Sequence, residues 1–303
     1  MQSNNAVVAL GGGRGLASVL RALRSADIPL TVIVSIAAAG DDGGDGGQRL
    51  TGPVGDLRRS LEALSDEEGA LLHAIRRPVT VDGVGRHPLG DLTLAAAADA
   101  LGGYWRASMW LGEQLGIDGS VLPATVDPAQ CHIEEVEQAA TGAVSGGPAH
   151  RVRRLRFVGD RNRSPEAAIA SIRDAQLVLL APGALYRSVL STCAVPDLVT
   201  ALNSTSARVV WIANLEPDPR EAPNMTAIDH VHLLRLHGVR VDVVLHDPSA
   251  TLTFDPAELA RIGVDSVARP LRSATDPATH DPERLGSVLT AMVAPHPAGT
   301  IGG

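Results

Sequence analysis

The chain has 303 residues, 45% of them hydrophobic but only 2% aromatic, and a formal net charge of −8. That length suffices for a sizeable core, which must be built from Leu, Val, Ile and Ala rather than from aromatic rings. Acidity and the lack of stacking side chains together argue against a nucleic-acid partner.

Ala6 to Leu10 is a short apolar run closed by Gly11, and Leu16, Val19, Leu20 and Leu23 follow at helical spacing, so the chain opens as strand, glycine turn, helix. Leu30 to Ile36 predicts a second strand. It runs into Ala39 to Gly47, a tail that holds Asp41, Asp42, Gly43 and Gly44. Pro53 then opens a helix with Val54, Leu57, Leu61 and Leu64 on one face. Leu89 to Leu101 predicts an Ala-rich helix and Ala107 to Leu115 a shorter one. From Val121 to Val158 short, alternating, Pro- and Gly-punctuated segments predict a small β-rich insertion, at about 119–160. Arg151, Arg153, Arg154 and Arg156 within it read as a solvated strand edge rather than a phosphate site.

Alternation then returns: helix from Glu166 to Arg173, strand Leu177 to Ala181, helix Val195 to Leu202, strand Val209 to Ala213, helix Thr226 to Leu236, strand Val241 to Leu245. This order implies right-handed crossovers and a mainly parallel sheet covered on both faces. The expected fold class is α/β, a Rossmann-like three-layer arrangement with a small β-rich insertion. A single unit over 1–293 and a disordered tail at 294–303 are expected. Cys131 and Cys193 offer no disulfide or zinc pattern, and no segment reads as a leader or a membrane span, so a cytoplasmic location is expected.

Ligands of open parallel sheets bind beyond the carboxyl ends of the strands, so the residues following each strand matter most. These are Gly11-Gly12-Gly13-Arg14-Gly15, the Asp41-Asp42 tail, Pro182-Gly183, Asn214 and His246-Asp247. The first glycine cluster precedes a helix N-terminus and suits either phosphate or a tight turn. Leu16 stands where a dinucleotide fingerprint would place its third glycine, which disfavours a nicotinamide oxidoreductase. Asp41 and Asp42 suit a divalent cation, sugar hydroxyls, a helix cap or an acidic surface turn. Asp56, in the first turn of its helix, is explained by capping alone. His87 and Asp91 flank the start of the Ala-rich helix. Asp229-His230, His232 and His237 lack zincin spacing and read as a polar helix face. No nucleophile elbow surrounds Ser188 or Ser191.

Taken in order, Val7 to Leu16, Asp41-Asp42-Gly43-Gly44, Gly55-Asp56-Leu57-Arg58, His87 with Gly90, Val121 to Thr125, Pro182 to Tyr186, Asn214-Leu215 and Asp229-His230 resemble the YvcK, or gluconeogenesis factor, family. That family is related in fold to the 2-phospho-L-lactate transferases of coenzyme F420 synthesis. The resemblance implies a Rossmann-like core that binds a nucleotide-linked ligand, a UDP-sugar such as UDP-N-acetylglucosamine, and a role in carbon metabolism, cell-wall synthesis and cell shape. It implies that Gly11, Gly12, Gly13, Arg14 and Gly15 face the diphosphate, and Asp41, Asp42, Gly43 and Gly44 the ligand or a cation such as Mg²⁺. Asp56, His87, Asp91, Pro182, Gly183 and Asn214 would line the rest of the cleft. Whether the protein forms a homo-oligomer stays open. Asp45, Asp91, Ala184, Arg187 and Arg220 depart from the pattern. The rival expectation is a transferase moving a phospho-acyl group from a nucleotide diphosphate donor with Mg²⁺. Thr51 to Arg58 lacks the S-P-D-L-D-T type of segment that such transferases carry, which favours a binding protein.

Overall fold

In chain order the strands are Val7–Gly11 (β1), Leu30–Val34 (β2), Ala37–Ala39 (β3), Pro78–Val81 (β4), Gly85–Pro88 (β5), Ser120–Pro123 (β6), Ala129–Gln138 (β7), His150–Phe157 (β8), Leu177–Leu180 (β9), Arg208–Ile212 (β10), Val243–His246 (β11) and Asp265–Ala268 (β12). The principal helices are Gly13–Leu23 (α1), Gly55–Leu64 (α2), Ala70–Arg76 (α3), Leu89–Leu101 (α4), Tyr104–Gln114 (α5), Glu166–Asp174 (α6), Pro196–Ser204 (α7), Ala227–Leu236 (α8), Pro256–Arg261 (α9) and Pro282–Val293 (α10). The computed structural model describes residues 6–24, 26, 28–39, 54–65, 69–82, 85–138, 150–159 and 162–293. Asp41, Asp42, Gly43, Gly44, Pro53 and the 294–303 tail lie outside the described residues.

Seven strands form one sheet in the order β12-β11-β10-β9-β1-β2-β6, and every neighbouring pair is parallel. Side chains alternate between its two faces, as the two-residue repeat of a strand requires. Val8, Leu10, Val178, Leu180, Val209 and Trp211 enter one core, with Ile172 of α6, Leu198 of α7 and Val231 of α8. Val7, Ala9, Leu177, Leu179, Val210 and Ile212 enter the other, with Leu20 of α1, Leu57 of α2, Leu94 of α4 and Leu289 of α10. Both faces are therefore dry, which explains why these strands read as continuous apolar runs. Fully burying each Leu or Val contributes about 1.5–3 kcal/mol, so the sheet is a rigid base for whatever its edge carries.

Helix starts follow local chemistry. Thr226 and Asp229 form a reciprocal capping box at α8, and the Asp255 carboxylate accepts from Ala257 N and Glu258 N at α9. Segments without a strong pattern escape the sequence reading: α3, the antiparallel β4–β5 hairpin, β12 and α10 are all unforeseen. Ser120–Pro123 also differs from expectation. Grouped by sequence with the β-rich insertion, it is the edge strand of the main sheet, paired with β2 from Thr31↔Ser120 to Val34↔Pro123.

The remaining β structure is a three-stranded sheet in the order β3-β7-β8, with β3 parallel to β7 and β7 antiparallel to β8. It starts just beyond β2 and so rises from the carboxyl edge of the main sheet. Its basic strand is not simply a solvated edge. Arg156 is exposed and ion-paired with Glu134, whereas Arg153 stacks over Tyr186 at 5.1 Å and donates to the Glu221 carbonyl at 3.3 Å. Arg154 donates to the Leu236 carbonyl at 3.4 Å. Two arginines thus dock the small sheet on the main body.

Candidate functional site

Chain connection reverses at β1: the chain passes to β2 on one side and returns at β9 on the other. Loops leaving the carboxyl ends of these two strands must diverge, and the gap between them is where open α/β sheets hold ligands. Here the loops are Gly11-Gly12-Gly13 and Ala181-Pro182-Gly183. They touch at their base, where Ala181 N donates to Leu10 O at 2.8 Å, with Thr192 Oγ1 3.1 Å from Gly11 O.

Beyond that base each loop is held by a side chain from elsewhere. Gly13 N, at the start of α1, donates to Asp56 Oδ1 at 3.0 Å, and Arg59 Nη2 holds the same oxygen at 2.7 Å. Helix α1 has no acidic residue in its own first turn, so Asp56 of α2 supplies the anion that its positive end favours. Asp56 therefore caps a neighbouring helix rather than its own, whose start carries no side-chain cap. It also lies so close that a Cβ on Gly12 would meet Asp56 Oδ2 at 2.1 Å. On the other loop, Asn214 spends both ends of its amide on one residue. Its Oδ1 accepts from Gly183 N at 2.7 Å and its Nδ2 donates to Gly183 O at 3.0 Å, which fixes the turn after β9.

A third clamp was invisible in the sequence. Glu221, 6% exposed, accepts from Tyr186 N at 2.7 Å and pairs with Arg187 Nε at 3.1 Å. Burial raises its pKa, and the Tyr186 N–H pulls the other way. The only hint in the chain is Asp218, whose carboxylate accepts from Arg220 N and Glu221 N and so turns Glu221 inward.

The structure thus brings Gly11, Gly12, Gly13, Arg14, Gly15, Asp56, Pro182, Gly183 and Asn214 together at the carboxyl ends of β1 and β9. Asp91 is held elsewhere: it is buried and takes Arg58 Nε at 2.8 Å, tying α2 to α4. Arg58 in turn pairs with Glu62, which Arg76 also approaches at 3.5 Å. His87 is half-buried on β5, opposite Val79. Of the histidines expected on a polar helix face, His232 is exposed, but the other two are not. His230 is buried, stacked on Trp211 at 5.3 Å, with Nδ1 2.8 Å from Thr226 O, while His237 Nε2 accepts from Leu155 N at 3.0 Å. Among the described residues no three His, Cys, Asp or Glu side chains are grouped to hold a metal ion.

Residues 7–272, from the first strand of the sheet to just beyond the last, match the family described as 2-phospho-L-lactate transferase CofD. The chain belongs to the CofD family. Within it, this member is 28% identical to the gluconeogenesis factor of Bacillus subtilis over 316 residues, covering 95% of this chain and 98% of that one. A Deinococcus radiodurans relative, also 28% identical over 316 residues, is longer: the match covers 94% of this chain but 65% of that protein. The crystal structure of a UPF0052-family protein from Bacillus halodurans superposes with a TM-score of 0.79 at 26% identity, over 94% of this chain and 98% of that one. This CofD-family chain has no helix among its described residues long and apolar enough to cross a membrane.

Proposed function

We propose that this CofD-family protein binds a nucleotide-linked sugar of the UDP-N-acetylglucosamine type at the β1/β9 crevice and acts as a regulator of carbon metabolism, cell-wall synthesis and cell shape. The observation that carries the reading is the pair of glycine loops braced from outside, by Asp56 on one side and Asn214 on the other, at the reversal of strand order. Pre-set loops at that position suit an extended diphosphate linkage, because little ordering cost falls on binding. Gly11 to Gly15 face the diphosphate in this reading. Arg14, exposed on the first turn of α1, adds a cation. The same reading assigns Asp41 and Asp42, outside the described residues, to the ligand or to a divalent cation such as Mg²⁺, while Asp91, spent on Arg58, serves to tie α2 to α4. The likeness to the Bacillus subtilis gluconeogenesis factor supports the regulatory role.

The family description favours a second reading, transfer of a phospho-acyl group from a nucleoside diphosphate donor with Mg²⁺. Calorimetric titration with UDP-N-acetylglucosamine, GDP and NAD, each with and without Mg²⁺, separates the two. Metal-independent binding of the UDP-sugar is expected. Magnesium-dependent preference for GDP would replace the regulator by the transferase, and preference for NAD would remove both.

A further inference from the structure

The residues from Leu185 to Leu190, directly after the Pro182-Gly183 turn, wind as a π-helix, a rare form that recurs at functional sites. Its consequence here concerns Ser188. A helical serine ordinarily donates its hydroxyl to the carbonyl four residues back. For Ser188 that carbonyl is Ala184 O, which already accepts from Ser188 N at 3.0 Å and Val189 N at 3.1 Å. Both acceptor sites of a carbonyl oxygen are then filled. The neighbouring hydroxyls behave as expected: Ser191 Oγ donates to Arg187 O at 2.6 Å, and Thr192 Oγ1 donates to Ser188 O at 2.8 Å. The Ser188 hydroxyl alone of the three makes no hydrogen bond among the described residues.

Its place is at the join of the two loops. Ser188 Cβ is 3.4 Å from where a side chain on Gly12 would begin and 3.9 Å from that position on Gly183, and Ser188 Oγ is 3.7 Å from that position on Gly13. Three backbone donors of these loops are meanwhile engaged: Gly13 N by Asp56, Gly183 N by Asn214 and Tyr186 N by Glu221. A phosphate entering the crevice meets a half-buried hydroxyl whose proton has no acceptor among the described residues.

We propose that Ser188 is a ligand-binding residue, its hydroxyl donating to a phosphate oxygen of a nucleoside diphosphate held between the β1 and β9 loops. This rests on the crevice binding such a ligand, as proposed above. The test compares wild type with Ser188→Ala, using UDP by calorimetry, uridine by ligand-observed NMR, and the melting temperature. A hydrogen bond to a charged group sets the expected effect at roughly 10- to 100-fold weaker UDP binding, with uridine binding and melting unchanged. Unchanged UDP affinity in the variant, an equal loss for uridine, or a lowered melting temperature overturns the assignment. Wild type that binds neither compound removes the nucleotide reading itself, and the role of Ser188 with it.

Discussion

Gly15→Ala is expected to destabilise this protein by about 3 kcal/mol, although alanine is the better helix former by about 1 kcal/mol. Gly15 lies in the first turn of α1, and a Cβ there would stand 1.8 Å from the Pro182 carbonyl oxygen and 2.6 Å from its carbon. Both partners are backbone, so no side-chain rotation relieves the contact. The turn cannot yield cheaply either, because Asn214 holds the next residue, Gly183, by two hydrogen bonds. Gly12→Ala provides the contrast: its Cβ would meet the Asp56 carboxylate, which can swing away at the cost of its bond to Gly13 N, an effect of about 1 kcal/mol. Urea unfolding of the two variants checks the ranking. A Gly15→Ala protein as stable as wild type would mean that α1 and the Pro182 turn are not in contact.

A second large effect is expected at Asp247. Its buried carboxylate, just past β11, accepts from Ser249 N at 2.6 Å, Ser249 Oγ at 2.5 Å, Leu271 N at 2.5 Å and Arg272 N at 2.7 Å. These bonds fasten the segment after β12 across the ends of β10 and β11, where Arg272 also reaches Leu215 O and Ser249 O. Asp247→Ala leaves a buried N–H and its neighbour without an acceptor, and should cost roughly 3 to 5 kcal/mol. Burial alone would raise the Asp247 carboxyl, but the Ser249 hydroxyl and the backbone donors bring it down to about 2. Its contribution is therefore complete above pH 4 and lost as the pH falls from about 4 to 2.

Nearby His280 has the opposite charge type but the same pH direction. Burial pushes it down to about 4, against the pull of the Ala213 carbonyl and the Asp247 charge. The folded protein keeps His280 neutral while the unfolded chain takes a proton from about pH 6.5 downward, so stability falls between pH 6.5 and 4, by on the order of 3 kcal/mol. Burial lowers His230, His237 and His246 as well, which adds to the same slope. Denaturant unfolding of wild type and Asp247→Ala at pH 7, 5.5 and 4.5 measures both effects. Removal of the Asp247 charge should lower the His280 pKa further and steepen that slope. Wild-type stability that is flat or rising toward pH 4.5 would contradict the buried, neutral state of these histidines.

Elements with both faces buried were legible because β1 and β9 are unbroken apolar runs and β2, β10 and β11 depart from one by a single residue each, Thr31, Arg208 and His246. β12 was not, because Asp265–Ala268 is exposed at both of its ends and only half-buried between them, so burial left little mark on its sequence. The expected tails after the strands converge because of topology: once the sheet is parallel and reverses at β1, Gly11 to Gly15 and Pro182-Gly183 have to face each other. The origin of Asp56 as the cap of α1 was illegible. That contact spans 43 residues of sequence and depends on how α2 crosses α1, which no local pattern encodes. Asn214, expected from the resemblance to line the cleft, has both ends of its amide bonded to Gly183 and so shapes the loop. Glu221 and Ser188 were missed for a shared reason. Each acts through backbone geometry, the turn at Asp218 in one case and the doubly engaged Ala184 carbonyl in the other.

The most direct test of the central claim is a crystal structure of this chain grown with UDP-N-acetylglucosamine. Diphosphate density is expected between Gly12 to Arg14 on one side and Gly183 to Ser188 on the other. Well-ordered ligand elsewhere, such as the groove between Arg154 and Arg156 of β8 and His237, with the β1/β9 crevice empty, would contradict it.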